Sequence, residues 1–467
     1  MGGSKRSAGL THFQNHNYLL LASLFIPLLI LTGCQSLATL APTKVQIAET
    51  PVQNSGPPTE TPFPTPIQTT VPSPTATQGP ALILDELDPN ISYTIPLTTQ
   101  WVSETSVYIH FALDRKVGGS LFYWTDLEDG TFTEVMPFGD DTLLHTVLIE
   151  GLKAETVYFA TVGIYREGVY RPPMFLGGEW TPVKFNTSSS THRPQRIGVI
   201  GDSGFGEQIT YQLTSMMSAL DLNFVIHTGD IVYRVEENAD PPEAYIGKYF
   251  LPFSEILHEM PVFPVPGNHE YDTAAVWEDS AYYYEVYPPL PAWLPQSQEG
   301  FRQYYALPIG DIQFLFLDTQ AFWMDQGMAD QTRWLAERLE DSRFSNTIPI
   351  LHVPPYSSGL HAKDGAIVER EWIPLFEKHN VALVLSGHDH NYQRLSVNGI
   401  TYVVSGGGSS VLYSRRELHP DSVFFSAMSH FVVLTLFQDH LELEAISREG
   451  EIIDSTVIEW EARNMIN

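Results

Sequence analysis

Six short apolar runs dominate residues 196–385. They read RIGVI, NFVIH, PVFPV, IQFLFL, IPILH and VALVL, and several of the segments between them are long enough for helices. One such segment, MADQTRWLAERLEDS, places Trp334 and Leu335 near Leu339 on one helical face. Buried strands that alternate with helices predict an α/β domain, which we place at residues 194–461.

Polar residues follow almost every one of these runs, in the segments GDSG, GDIVY, GNHE, HVPP and SGHDH. Sheets of this class bind ligands at the carboxyl ends of their strands, so we expect these side chains to converge. Their carboxylates, phenol, amide and imidazoles suit zinc, iron or manganese, and no thiolate takes part. The candidate ligands are Asp202, Asp230, Tyr233, Asn268, His352, His388 and His390.

This set is too large for one tetrahedral ion, whereas two ions roughly 3.5–4 Å apart that share a carboxylate would use all of it. His388 and His390 stand one residue apart, and in an extended backbone they would point to the same side. For that segment alone, the alternative is a polar loop after a buried strand.

The motifs GDxG, GDxxY, GNHE, a histidine after an apolar run, and GHxH occur in this order. The order resembles that of metallophosphoesterases, and the tyrosine of GDxxY makes the chain similar to purple acid phosphatases in particular. The resemblance covers roughly residues 81–460. It implies an α/β fold: a metallophosphoesterase β-sandwich flanked by helices and preceded by a fibronectin-III-like all-β sandwich.

By the same resemblance, the site binds two metal ions. The first is expected to be Fe(III), bound by Asp202, Tyr233 and His390. The second is expected to be divalent Zn, Mn or Fe, bound by Asn268, His352 and His388. Asp230 would bridge the two ions.

Two further histidines match positions that act on the substrate in that family. His269 matches a phosphate-contacting histidine, and His361 matches a pocket histidine that can donate a proton. The chain departs from the pattern of that family at two positions. Val353 stands where many relatives carry a second polar residue, and His361 is single where some relatives have a pair.

The implied reaction is hydrolysis of a small phosphate monoester by a metal-bound water or hydroxide. One alternative is a phosphodiesterase or nucleotidase on the same metal site, because substrate choice would lie in the loops around AVWEDSAYYYEVYPPLPAWLPQ. That stretch either stacks a nucleobase or phenol, or simply packs. A less favoured alternative is a non-catalytic surface lipoprotein whose sandwich binds a partner.

Residues 81–190 alternate apolar and polar residues with a period of two, which predicts an all-β sandwich. SVYIHFAL places Val107, Ile109 and Phe111 on one face. Tyr158 starts another such run, as a tyrosine corner requires. The alternation and the position of Tyr158 together resemble a fibronectin-III-type domain.

The N-terminus predicts export and a lipid anchor. Lys5 and Arg6 precede YLLLASLFIPLLILTGC, and LTGC resembles the lipobox of bacterial lipoprotein signal peptides. Residues 1–33 would then be removed and Cys34, the only cysteine, would carry lipid. An uncleaved membrane anchor is the alternative, and both readings place the chain outside the cytoplasm, on the periplasmic or extracellular side. Residues 34–80 read as a Pro/Thr-rich linker.

The net charge is -30, from 55 acidic and 25 basic residues. This balance argues against a nucleic-acid partner, which requires clustered Lys and Arg. It does not exclude a small phosphate ester, because surface charges are screened beyond about 10 Å and a bound metal dominates its own pocket.

Overall fold

The computed structural model describes most of the chain after residue 79. Residues Ala76–Asn467 form one compact unit. The predicted signal peptide, Cys34 and almost all of the predicted linker lie outside the described residues. No helix in the described part is long and apolar enough to cross a membrane. The described residues are 80–125, 133–175, 182–187, 194–233, 241–271, 281–287, 304–320 and 328–459.

Two sheets come first along the chain. One has the order β5-β2-β1-β8, and the other has the order β4-β3-β6-β7 with β9 also paired to β6. The strands are β1 (Asp88–Val102), β2 (Ser106–Leu113), β3 (Gly119–Trp124), β4 (Thr133–Phe138), β5 (Leu144–Glu150), β6 (Val157–Arg166), β7 (Val169–Arg171), β8 (Pro173–Phe175) and β9 (Val183–Asn186).

The predicted inward face of β2 is confirmed, because Val107, Ile109 and Phe111 are all fully buried. The hydroxyl of Tyr158 accepts a hydrogen bond from the backbone N–H of Lys153 at 2.9 Å, which is the contact expected of a tyrosine corner. The fibronectin-type assignment and the domain boundaries stay predictions.

Two larger sheets follow, with the orders β12-β11-β10-β20-β21-β22 and β13-β14-β15-β16-β18-β17-β19. All six predicted apolar runs are strands in them, as predicted. The strands are β10 (Gln195–Ile200), β11 (Phe224–His227), β12 (Val262–Pro264), β13 (Tyr305–Ile309), β14 (Ile312–Phe316), β15 (Asn346–Ile350), β16 (Leu383–Ser386), β17 (Tyr392–Val397), β18 (Ile400–Ser405), β19 (Ser422–Ser426), β20 (His430–Leu436), β21 (His440–Ser447) and β22 (Ile452–Glu459).

The α-helices are mostly short. Trp334, Leu335 and Leu339 are buried along the longest of them, which confirms the predicted helical face. A π-helical turn at Ile246–Phe250 and a 3-10 turn at Asn268–Tyr271 lie outside the α-helical set. The α-helices are α1 (Gln208–Ser218), α2 (Pro241–Tyr245), α3 (Ser254–Leu257), α4 (Ala281–Val286), α5 (Met328–Leu339), α6 (Ala366–Glu371) and α7 (Ile373–Lys378).

The two large sheets pack face to face, and helices cover their outer faces. Val199 and Ile226 of the six-stranded sheet share one core with Phe316 of the seven-stranded sheet. Trp334 of α5 packs in the cluster on the outer face of the seven-stranded sheet. Leu213 of α1 packs in the cluster on the outer face of the six-stranded sheet. The predicted α/β class is therefore confirmed.

The first two sheets share a core with the helices of the α/β part. The rings of Phe175 and Phe250 meet edge to face with centroids 6.4 Å apart. A second contact between the two parts joins the Nε2 of His110 to the backbone oxygen of Glu285 in α4, 2.7 Å away. The all-β part therefore supports the loops and helices that follow the central strands.

Candidate metal centre

The predicted ligands lie just beyond the carboxyl ends of the central strands. Asp202 follows β10 and Asp230 follows β11, while Asn268 opens the 3-10 turn after β12. His352 follows β15 and His388 follows β16 in the facing sheet. Strands β10, β11 and β12 are parallel, as are β14, β15, β16 and β18, so their polar ends meet at a common edge.

The GHDH segment forms a loop and does not continue the strand. Strand β16 ends at Ser386, and His388 has a φ of 68°, so the two histidines do not stand on an extended backbone. Of the two interpretations of this segment, the polar loop after a buried strand is therefore the correct one. Both imidazoles nevertheless reach the site, and the intervening Asp389 faces away from it, accepting hydrogen bonds from the hydroxyl of Ser357 and the backbone N–H of His361.

Three candidate ligands hold strained backbone conformations. Asp202, Asp230 and His388 have φ angles of 57°, 56° and 68°, in the left-handed region that side chains other than glycine rarely adopt. Each such residue costs about 1–3 kcal/mol and persists only where the surrounding structure fixes it. The clustering of this strain at one edge of the sheets marks the edge as a functional site.

Two glycines let the loops approach closely enough to form the site. A Cβ at Gly267 would overlap the carboxylate of Asp230, and a Cβ at Gly229 would lie 2.5 Å from the Nδ1 of His352. Gly229 also has a φ of 100°. The loops after β11, β12 and β15 could not meet at these points with larger residues.

The candidate ligands form two adjoining groups that share Asp230. Its carboxylate lies within 4.8 Å of ligand atoms of His352 and His388 in one group, and of Asp202 and His390 in the other. Asp230 Oδ1 is 3.3 Å from the Nε2 of His352. A carboxylate common to two groups is the arrangement that a bridging ligand requires.

The two remaining candidates join these groups. The hydroxyl of Tyr233 lies 2.9 Å from the Nε2 of His390 and donates to Asp202 Oδ1 at 3.3 Å. Asn268 Oδ1 lies 3.1 Å from the Nε2 of His352. Each of the seven predicted metal ligands is therefore brought to the site.

Backbone carbonyls orient two of the imidazoles. The Nδ1 of His352 lies 2.8 Å from the oxygen of Thr228, and the Nδ1 of His390 lies 2.7 Å from the oxygen of Val411. Because a carbonyl can only accept, each Nδ1 carries a proton, and each Nε2 is the nitrogen that meets the other candidate ligands. This is how metal-binding histidines are usually held.

The electrostatics of the site favour added positive charge. Burial and the Asp230 charge raise the pKa of Asp202 well above its ordinary value, although His352 opposes them. Burial lowers the pKa of His352, but Asp230 and Asp202 outweigh burial and raise it to about 9. Burial also raises the pKa of Tyr233 well above its ordinary value, helped by Asp230 and Asp202.

The imidazolium of His352 is therefore the one positive charge among these four side chains, beside two buried carboxyl groups and a phenol. Burial lowers the pKa of His390 to about 4 and also lowers the pKa of His388, so both rings are neutral and can act as ligands near neutral pH. Carboxylate, phenol and amide oxygens beside imidazole nitrogens in a buried pocket form a donor set that suits cations such as zinc, iron or manganese. The residues present fit a metal centre.

Glu270 ties together the loops that carry Asp230 and Asn268. Its buried carboxylate accepts hydrogen bonds from the backbone N–H groups of Gly267, Asp230, Ile231 and Val232, at 2.6–3.2 Å. Burial and the Asp230 charge raise the pKa of Glu270 to about 7, while the N–H groups of Gly267 and Val232 act in the opposite direction. Glu270 supports the site without facing it.

The two predicted substrate histidines occupy the rim. The backbone N–H of His269 donates to Asp230 Oδ1 at 3.0 Å, and its ring lies 4.4 Å from the ring of Tyr233. The ring of His361 lies 4.3 Å from that of His388 and remains 30% exposed. Both are placed beside the candidate metal ligands and open to a bound substrate.

Sequence reasoning missed two residues of this rim. The carboxylate of Asp364 contacts both His361 and His388. The ring of Tyr413 stacks on His390 with centroids 4.2 Å apart. The spacing of His361 and Asp364, three residues apart in HAKD, was the available signal for the first. Nothing in the local sequence marks Tyr413, because its segment approaches the site from a separate loop.

The aromatic stretch AVWEDSAYYYEVYPPLPAWLPQ is described only at residues 281–287. There the hydroxyl of Tyr282 donates to the backbone oxygen of Thr94 at 2.9 Å, and Tyr283 is buried. This part packs against the all-β sheets, as the simpler reading of the stretch predicts. The rest of the stretch lies outside the described residues.

Comparison with known families agrees with this geometry. Residues 195–392 match the family model for the calcineurin-like phosphoesterase. This range contains β10, β11, β12, β15 and β16 together with all of the candidate ligands. The chain therefore carries a calcineurin-like metallophosphoesterase domain.

Within that class, purple acid phosphatases are among its homologues. The chain is 26% identical to purple acid phosphatase 23 of Arabidopsis thaliana over 305 residues, covering 58% of this chain and 63% of that protein. It is 24% identical to probable inactive purple acid phosphatase 1 of the same plant over 407 residues, covering 76% and 64%. The chain thus spans less than two thirds of the length of either relative.

A solved structure shows the same fold over a longer range. The purple acid phosphatase PPD1 from yellow lupin (Lupinus luteus) seeds superposes with a TM-score of 0.61 at 18% identity, covering 78% of this chain and 74% of that one. The coverage exceeds the length of the matched phosphoesterase domain, so the likeness of fold extends beyond it.

Proposed function

We propose that the protein is a dinuclear-metal hydrolase of small phosphate monoesters. The observation that carries the proposal is the position of Asp230, whose carboxylate belongs to two adjoining groups of buried metal-binding side chains. A pair of cations that share one carboxylate is a recurring arrangement in phosphatases. The homology to purple acid phosphatases supports the same reaction class.

The proposed ligands follow the two groups. Asp202, Tyr233 and His390 would hold Fe(III), while Asn268, His352 and His388 would hold a divalent Zn, Mn or Fe. Asp230 would bridge the ions. Bound there, the metals would offset the phosphate charge and lower the pKa of water to make a nucleophile.

The histidines at the rim would act on the substrate itself. His269, fixed by its backbone contact to Asp230, would donate a hydrogen bond to the phosphate group. His361 would protonate the leaving oxygen, a step usually worth about 10²–10⁴ in rate. Its partly exposed position leaves room for a leaving group of variable size.

A phosphodiesterase or nucleotidase remains a second candidate, because the same ligands serve diesters and nucleotides. Tyr282 donates to the backbone of Thr94 and Tyr283 is buried, so these two rings pack in the protein, which removes part of the support for base stacking. A non-catalytic surface protein is the third candidate, and the likeness to a probable inactive purple acid phosphatase keeps it open.

The decisive experiment compares the full chain with Asp230→Asn and His388→Ala. Metal stabilisation of the transition state is worth several kcal/mol, and about 1.4 kcal/mol is tenfold in rate, so each change should lower kcat/KM at least about 100-fold. The matched control is Asp439→Asn, which removes one charge from a residue that is 84% exposed in the turn between β20 and β21.

Each protein is assayed for metal content and for rates on p-nitrophenyl phosphate, its bis ester and AMP. We expect two metal ions per wild-type chain and the highest rate on the monoester. Equal activity in wild type and both site variants would refute the mechanism. A higher rate on the bis ester or AMP would select the second candidate, and metal-free inactive protein would select the third.

We also propose that lipid on Cys34 holds the protein at a membrane outside the cytoplasm, with residues 34–80 as a spacer. The proposal rests on the LTGC segment after an apolar run. A spacer rich in proline would keep the site clear of the membrane surface and open to soluble phosphate esters.

A further inference from the structure

One carboxylate outside the predicted ligand set contacts both a candidate metal ligand and the candidate proton donor. Asp364 Oδ2 lies 2.9 Å from the Nδ1 of His361 and 3.1 Å from the Nε2 of His388. The two rings are 4.3 Å apart at an angle of 46°. A single oxygen therefore receives a hydrogen bond from each ring.

These contacts decide which nitrogen of each neutral ring carries the proton. A neutral imidazole carries one N–H, and a carboxylate can only accept. His388 must then place its proton on Nε2, toward Asp364, and its lone pair on Nδ1. His361 places its proton on Nδ1, so that only its Nε2 is left to exchange a proton with a substrate. A carboxylate behind a metal-binding histidine is a common means of fixing the tautomer.

The backbone holds Asp364 in this position. Its N–H donates to the oxygen of His361 at 3.0 Å, which closes a tight turn. The next residue, Gly365, packs so closely on the backbone of Pro354 that a Cβ there would overlap the oxygen of Pro354. Because Pro354 lies in the loop that begins with His352, the turn is anchored to the segment that carries another candidate ligand.

We propose that Asp364 is a positioning residue that fixes two histidines at once, His388 for metal binding and His361 for proton transfer to the leaving group. The inference rests on the proposed function and deepens it. It predicts that loss of the Asp364 carboxylate lowers the affinity for one of the two metal ions. It also predicts that the leaving group departs more slowly. A purely structural role would produce neither effect in a folded protein.

The test uses Asp364→Asn, because the amide keeps the size of the side chain but lacks the negative charge that strengthens the hydrogen bond from each imidazole. Asp364→Glu serves as the conservative variant that restores a carboxylate. The matched control is Asp439→Asn: Asp439 also bonds an imidazole, with Oδ1 2.7 Å from the Nδ1 of His440, but it lies in the turn between β20 and β21. Circular dichroism confirms that each variant is folded.

The first readout is metal binding, measured by titrating metal-free protein with the divalent ion. We expect Asp364→Asn to weaken one site about 10–100-fold, the usual cost of losing such a partner, and to leave the other unchanged. Asp364→Glu should recover part of the affinity. Asp439→Asn should match the wild type.

The second readout is the dependence of kcat/KM on the leaving group. An alkyl phosphate needs protonation of its leaving oxygen more than p-nitrophenyl phosphate does, so Asp364→Asn should lower the alkyl rate at least about tenfold more than the aryl rate. An equal loss on both esters, together with wild-type metal affinity, would overturn the inference.

Other outcomes separate this inference from the proposed function. A wild type that binds two ions and turns over substrate, with Asp364→Asn identical to it, refutes only the role of Asp364. A wild type that binds no metal and hydrolyses neither ester removes both. The ligand atoms of His361, Asp364 and His388 also lie within 4.8 Å of one another, so a third ion in the wild type that is lost in Asp364→Asn would show a metal site instead.

Discussion

His110 gives the fold a calculable sensitivity to acid. The ring is fully buried between the all-β part and α4, with its Nδ1 2.9 Å from the hydroxyl of Thr146 and its Nε2 2.7 Å from the oxygen of Glu285. Burial lowers the pKa of His110 from 6.5 to about 4, and the carbonyl of Glu285 only partly opposes it. The neutral ring satisfies both contacts, since Nε2 donates to the carbonyl and Nδ1 accepts from the hydroxyl.

The sign of the effect follows from this depressed pKa. The unfolded chain binds the proton more readily than the folded one. The contribution of His110 to the free energy of unfolding is therefore complete above pH 6.5 and is lost as the pH falls toward about 4. A gap from 6.5 to about 4 corresponds to about 3 kcal/mol at about 1.36 kcal/mol per pKa unit. That is a large share of the stability of a typical domain, about 5–15 kcal/mol.

The assay is urea unfolding of wild type and His110→Gln across this pH range. Glutamine can still donate to the oxygen of Glu285. Any packing lost in the variant changes its free energy of unfolding by the same amount at every pH, so only proton binding by His110 makes the difference from wild type depend on pH. We expect the stability advantage of the wild type to shrink by about 3 kcal/mol between pH above 6.5 and pH near 4. His430→Gln should shift in the same direction, because burial lowers the pKa of that histidine to about 4 as well. A wild-type advantage that stays constant with pH would refute the reasoning.

Two further predictions concern the metal centre and the N-terminus. We expect Fe(III)-loaded wild type to absorb visible light through charge transfer from the Tyr233 phenolate. Tyr233→Phe should lose that absorption band while keeping bound iron, and an undiminished band in the variant would contradict the ligand assignment. We expect Cys34→Ser to move the protein from the detergent phase to the aqueous phase after cell fractionation, because a lipid anchor depends on that thiol; unchanged partition would favour the uncleaved apolar anchor.

The strand ends of the α/β part could be predicted from sequence because their signals are local. Each apolar run is short, and the polar residues that follow it mark where the strand stops. The parallel order of β10, β11 and β12 then brings Asp202, Asp230 and Asn268 to one edge without further information. The ligand set was predictable because geometry at the carboxyl edge of such sheets is general.

The rest of the site depends on contacts that no local pattern contains. Asp364 lies on a turn after β15. Its proposed role depends on a hydrogen bond with His388, which lies on a different loop. For the GHDH segment, local sequence left both an extended backbone and a polar loop open, and the φ of 68° at His388 selects the loop. Local sequence predicts where a strand ends, but it does not predict the path of the chain beyond that end.

The charge of the chain makes the metal pair a requirement for its proposed substrate. A phosphate ester carries negative charge, and a protein with a net charge of -30 repels it at long range unless salt screens the field. At the site, Asp202, Asp230 and a Tyr233 phenolate would add three negative charges, against which Fe(III) and a divalent ion supply five positive charges. The local balance then favours an anion within a strongly acidic protein. It follows that inorganic phosphate should bind the metal-loaded protein and not the metal-free chain, whatever the leaving-group specificity of the enzyme.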